Sequence, residues 1–119
     1  MVKTINIMNI PTIINDWIAA GNSFDTAQYL SFYLPDAVLD DPSVGKVFKG
    51  HEGIKDYFNS YFIGYNTRTE LEKLYQVNED QVHLEVRFSG SFSEGNIGGL
   101  FDITFKGDKI AFVKADLSH

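Results

Sequence analysis

Two adjacent carboxylates and a proline, Asp40-Asp41-Pro42, end a short apolar run and stand directly before a turn at Ser43-Val44-Gly45. A second short strand, Lys46 to Lys49, follows and is broken by Gly50-His51-Glu52-Gly53. Ile54 to Phe62 then carries apolar and aromatic side chains at 54, 57, 58, 61 and 62, the spacing of one helical face. If Leu39 faces inward, strand alternation turns Asp41 inward with it and Asp40 outward. An acid is then set against an aromatic helix. Among rings a carboxylate loses hydration, which disfavours its charged form and strengthens it as a base. Asp41 is therefore the candidate general base. The plainer reading is an Asp-Pro pair that ends a strand at a turn, where Asp is common.

The remaining polar residues supply less chemistry. His51 belongs to the start of the third helix, His83 to an outward strand face and His119 to the chain end; no pair has ligand spacing, so no metal site is expected. Gly95, Gly98 and Gly99 fall between strands and open no helix, so they form no phosphate loop. Asp102 alternates away from Phe101 and Phe105 and belongs outside, as does Asp40. Asp116 lies near the end of the last strand.

These residues need elements to hold them. Asn9 suits an N-cap with Pro11 in the first turn, and Ile13, Ile14, Trp17 and Ile18 mark a helix ending at Gly21. Ser23 or Asp25 caps a second helix with the face Tyr29, Leu30, Tyr33 and Leu34, stopped by Pro35. From Asn66 onward the pattern is that of an antiparallel meander. Thr67 to Val77 fits helix or strand by periodicity alone. Val82, Leu84, Val86 and Phe88 alternate with polar residues, as do Phe101, Ile103 and Phe105, and Lys109 to Leu117 forms the last strand. Three helices, all in the first half, and about six strands predict an α+β domain spanning 1–119.

The order of short strand, Asp-Pro, hairpin, strand ending in Gly, and Glu-Gly-Ile opening an aromatic helix resembles the nuclear transport factor 2-like superfamily, close to its SnoaL-like branch. Trp17-Ile18-Ala19-Ala20-Gly21-Asn22 with Asp25, and Phe105-Lys106-Gly107-Asp108-Lys109-Ile110, extend the resemblance over nearly the whole chain. It implies a cystatin-like cone, three N-terminal helices packed in a curved, mostly antiparallel sheet, and it reads Thr67 to Val77 as a strand. It also implies a homodimer through the outer sheet face that carries His83, Glu85 and Arg87. In ketosteroid isomerases of that superfamily the base occupies the Asp of the same Asp-Pro pair, which matches Asp41. Their helix-1 tyrosine falls on Trp17 and their protonated acid on Phe101, which can donate no hydrogen bond. Losing one such donor costs about two to three orders of magnitude in rate, so a steroid isomerase of that type is not expected. Polyketide cyclases of the SnoaL-like group carry an acid/base Asp near the last strand's end; Asp116 sits one residue off that place, and a slip of one reverses a strand's face.

The resulting expectation is a cofactor-free enzyme acting on an apolar carbonyl compound by proton abstraction or cyclisation. Asp41 would be the base, and Trp17, Leu39, Tyr57, Phe58, Tyr61, Phe88, Phe101 and Ile103 would form the ligand pocket. For each of Tyr57, Phe58 and Tyr61, simple core packing is the competing reading. The alternatives are a protein that binds a small apolar ligand unchanged and a protein-interaction module. Ten Phe and six Tyr in 119 residues favour a ring-rich core or cavity. A net charge of -6 with scattered Lys and Arg offers no basic face for nucleic acid or anionic membrane. Without cysteine there is no disulfide framework, and a start interrupted by Asn6, Asn9 and Pro11 makes a poor signal peptide, so a cytoplasmic location is expected.

Overall fold

A computed structural model describes residues 9–118. Helix α1 (Ile10–Asn22) begins where the Asn9 side chain accepts a hydrogen bond from the Thr12 backbone N–H, and it buries Ile10, Ile14 and Trp17 on one face. Asp25 caps α2 in the same way through Gln28, but α2 (Thr26–Leu30) is a single turn. Tyr33 and Leu34, expected on that helix, instead open strand β1 (Tyr33–Asp41). Their helical spacing to Tyr29 and Leu30 is overridden by pairing, since Tyr33 aligns with Ile110 of the last strand.

Strand β1 runs antiparallel to β2 (Lys46–Lys49) and parallel to β6 (Lys109–Leu117). The β1–β6 register slips between Tyr33 and Val38, the segment that contains Pro35, which has no N–H to give to a ladder. Helix α3 (Gly50–Phe58) follows the β1–β2 hairpin and precedes β3, so of the three N-terminal helices only α1 and α2 stand ahead of all the strands. It passes into a π-helical turn, Asn59–Ile63, where the Gly64 N–H reaches back to the Asn59 carbonyl at 2.9 Å. Gly50, at φ +69, makes the strand-to-helix corner, where an added Cβ would stand 3.2 Å from the Pro35 carbonyl.

Strands β3 (Arg68–Asn78), β4 (Gln81–Ser89), β5 (Asn96–Lys106) and β6 form the meander, giving one mixed sheet of order β2-β1-β6-β5-β4-β3. Gly98 and Gly99, expected in a turn, belong to β5. Val82, Leu84 and Val86, Phe101, Ile103 and Phe105, and Val113 and Ala115 all point to the helices and are buried. The opposite face carries His83, whose Nδ1 lies 2.7 Å from Asp102 Oδ1, and Arg87, whose Nε lies 3.6 Å from Glu72. His83 and Asp102 are cross-strand partners, as outward alternation requires. Among the described residues no helix is long and apolar enough to cross a membrane.

Candidate functional site

Asp41 is the last residue of β1 and only 6% exposed, on the same face as fully buried Leu39. Its Oδ1 accepts from the Ser43 backbone N–H at 3.0 Å and from the Ser43 hydroxyl, the turn geometry expected of an Asp two residues ahead of its donor. Its Oδ2 accepts from the Tyr57 hydroxyl at 3.0 Å. Tyr57 reaches it because α3 turns residues 54, 57 and 58 toward the sheet. Burial first, and the Asp41 charge second, push the Tyr57 phenol well above its ordinary value. It therefore stays protonated at neutral pH and remains a donor.

Beside this pair is a cavity of about 300 Å³. Asp41, Ser43 and Val44 form one wall. Tyr57, Tyr61 and Phe62 come from α3 and its π turn and Tyr65 and Thr67 from the loop after it; Phe88, Phe92 and Ile97 come from the β4–β5 hairpin, and Ala115, Asp116 and Leu117 from β6. The space opens at this end of the sheet because Ala115 offers the inward face only a methyl group. Gly99 offers nothing, and the Phe88 ring lies across it: a Cβ there would stand 2.2 Å from Phe88 Cε2. Phe88 meets Phe62 edge-on at 6.0 Å and Phe101 edge-on at 5.8 Å, which fixes its ring at the cavity wall. The rim is pinned where the Ser91 N–H donates to the Tyr65 carbonyl at 2.6 Å and the Asn66 amide donates to the Ser91 hydroxyl at 3.1 Å.

Of the residues expected at a site, the structure brings Asp41, Tyr57, Tyr61 and Phe88 to this cavity. Five others lie elsewhere. Leu39, Phe58 and Ile103 are core residues at most 1% exposed, because they sit deeper along the same inward faces. Trp17 and Phe101 meet edge-on at 5.2 Å and border only a crevice of about 10 Å³. The Trp17 indole N–H donates to Tyr33 Oη at 3.0 Å, and the Tyr33 hydroxyl donates to Tyr29 Oη at 2.7 Å. That chain spends the indole donor inside the core, where burial raises both phenols well above their ordinary value.

Asp116 does line the cavity, although alternation turns Ala115 inward ahead of it; the strand ends here, and the Asp116 Oδ1 accepts from the Leu117 N–H at 2.8 Å. Sequence reasoning missed Ser43, Val44, Tyr65, Thr67, Phe92, Ile97, Ala115 and Leu117 as wall residues. Phe62 had a signal in its place on the helical face. Tyr65 and Phe92 have none, being in irregular backbone. His51 serves the fold, its Nε2 lying 2.9 Å from the Tyr33 carbonyl at the bulged end of β1. Among the described residues no three His, Asp or Glu side chains gather as a metal-binding group.

The family model of the SnoaL-like domain matches residues 14–115. The chain belongs to the SnoaL-like family. This family's fold, cystatin-like and nuclear transport factor 2-like, is shared by many solved structures. One is a candidate polyketide cyclase from Sinorhizobium meliloti, 23% identical, aligned over 88% of this chain and 94% of that one with a TM-score of 0.79. Another is a protein of ketosteroid isomerase-like fold from Catenulispora acidiphila, solved in complex with trimethylamine. It is 18% identical over 88% of this chain and 84% of that one, with a TM-score of 0.78. The epoxide hydrolase/cyclase-like enzyme SalBIII of salinomycin pyran-ring formation is 17% identical over 91% of this chain and 89% of that one, with a TM-score of 0.79. At such identities these SnoaL-like neighbours establish the fold alone. No curated protein matches the chain.

Proposed function

We propose that this SnoaL-like protein binds a small, largely apolar carbonyl compound in the cavity and removes a proton from the carbon next to the carbonyl, in an isomerisation or cyclisation. The observation that carries this reading is a carboxylate 6% exposed at the wall of a ring-lined cavity. Asp41 is the base. Its Oδ2 has one protein donor, Tyr57, and keeps a lone pair for substrate. The Tyr57 hydroxyl fixes the carboxylate, and Tyr61 and Tyr65 are wall tyrosines with a hydroxyl to offer the carbonyl oxygen. Trp17 has no part in this proposal, since its N–H is used inside the core. The polyketide cyclase and ketosteroid isomerase descriptions borne by two fold neighbours agree with it in kind.

A second reading is favoured by the donors on Asp41. Two come from Ser43, so the carboxylate also acts as the brace of its own turn. A protein that binds its ligand unchanged would need no more than that. The separating experiment follows deuterium exchange next to the carbonyl of cyclohexanone and 2-tetralone by NMR in D2O. Positioned general bases contribute about 10² to 10⁴ in rate, and Asp41→Asn should remove that factor while ketone binding persists. Binding without exchange in the wild type leaves the pure binding role. The proposal also places a homodimer contact on the outer sheet face around Phe112, 37% exposed, and His83; the mass in solution tests it.

A further inference from the structure

We infer that the cavity is built for a ligand with a positively charged nitrogen, an alkyl- or arylammonium group seated among the rings with its charge toward Asp41 and Asp116. The inference rests on the cavity being the ligand site and specifies what that ligand carries. Six of the lining residues are aromatic, and two are carboxylates. None of the lining residues is Lys, Arg or His. An anion entering this space would meet two negative charges and no counter-charge. A neutral ligand would gain ring contact and a hydrogen bond from a wall hydroxyl, but nothing from the carboxylates' charge. An ammonium group gains the ring faces and the carboxylates together, which is the pairing that recognises organic cations.

The charge of Asp41 is also left without a cation of the protein's own. The hydrogen-bond donors to it, Ser43 and Tyr57, are neutral. Lys46, its cross-strand partner in β2, holds its Nζ over the Phe48 ring at 5.1 Å from the centroid and does not line the cavity. Among the described residues no ion pair involves Asp41 or Asp116. A carboxylate 6% exposed is poorly screened by water, so its field extends into the cavity. The rings pack on one another into a continuous lining: Tyr57 is 5.5 Å from Tyr61 and 5.7 Å from Phe62, and Tyr65 is 6.4 Å from Phe92. About 300 Å³ suits a small amine rather than a large lipid or steroid. The chain's net charge of -6 further favours the approach of cations.

The test compares phenyltrimethylammonium with tert-butylbenzene, which has the same shape without the charge, and with benzoate, each titrated into the full chain and followed by amide NMR shifts. The ammonium compound should saturate the cavity residues and bind roughly tenfold tighter than tert-butylbenzene, with benzoate not binding. Asp116→Asn, at a half-buried rim position that leaves the Asp41 turn intact, should weaken the ammonium compound severalfold and leave tert-butylbenzene unchanged. Equal or tighter binding of tert-butylbenzene overturns the inference while leaving the cavity a ligand site. Saturable binding of none of the three overturns both this inference and the reading on which it rests.

Discussion

Alkali should unfold this protein through three tyrosines. Tyr29, Tyr33 and Tyr57 are 2%, 2% and 4% exposed, and each has its phenol pushed up, first by burial. For Tyr33 the next cause is Tyr29, and for Tyr57 it is the charge of Asp41. An unfolded tyrosine titrates near 10. Because the folded-state values lie above that, the stabilisation is fully present below about pH 10 and is lost as pH rises from there through the folded values. Once the unfolded chain is ionised, each such tyrosine contributes a slope of about 1.4 kcal/mol per pH unit, and the three together about 4 kcal/mol. By about pH 11 the accumulated loss is about 4 kcal/mol, a large share of the 5–15 kcal/mol typical of a domain.

The assay is the urea midpoint at constant ionic strength from about pH 8 to pH 11, with phenolate absorbance followed in parallel. Ionisation of these three should coincide with loss of circular dichroism in one cooperative step. Tyr29→Phe should reduce the slope by roughly a third, whatever it does to stability at neutral pH. The reasoning is refuted if all six tyrosines ionise smoothly near pH 10 while the circular dichroism is unchanged.

Tyr57→Phe keeps the ring contacts with Phe48, Tyr61 and Phe62 but removes a donor from buried Asp41, so urea unfolding should report a loss of about 1.5–3 kcal/mol. Gly99→Ala puts a methyl group into the Phe88 ring; a stability loss of about 1–3 kcal/mol is expected on thermal unfolding, together with displaced Phe88 ring resonances. Ligands entering the cavity should shift amide resonances of Tyr61 and Phe88 while the Trp17 emission maximum stays in place, because the indole borders a different crevice. Trp17→Phe strands the hydrogen-bonding capacity of Tyr33 and should cost stability without weakening phenyltrimethylammonium binding, measured in the same NMR titration.

Alternation is what made the sheet legible. Val82, Leu84 and Val86 are buried as their spacing requires, and the parity that turned Leu39 inward turned Asp41 inward as well. The α3 face was legible for the same reason, and it survives the change to a π turn, since Ile54, Tyr57, Phe58 and Phe62 all stay buried. The end of α2 was not legible: Tyr29, Leu30, Tyr33 and Leu34 satisfy helical spacing, and only the distant partner Ile110 decides that Tyr33 is a strand residue.

The cavity was harder to read, for a physical reason. Periodicity assigns a side chain to the inward face, but a void is a place where inward side chains fail to meet, and that depends on the smallest residues rather than the largest. Trp17, Leu39, Phe58, Phe101 and Ile103 are inward and large, and for that reason they fill the core. The opening is at the strand ends beside Ala115 and Gly99, under rings from irregular backbone at Tyr65 and Phe92, none of which carries a periodic signal. Asp41 reaches it because parity turns it inward at the last residue of β1, and Asp116 because it lies one residue short of the end of β6. The two carboxylates thus share one space although they come from distant parts of the chain. Whatever enters must satisfy both of them, so the ligand's charge, more than its outline, is what this SnoaL-like cavity should discriminate.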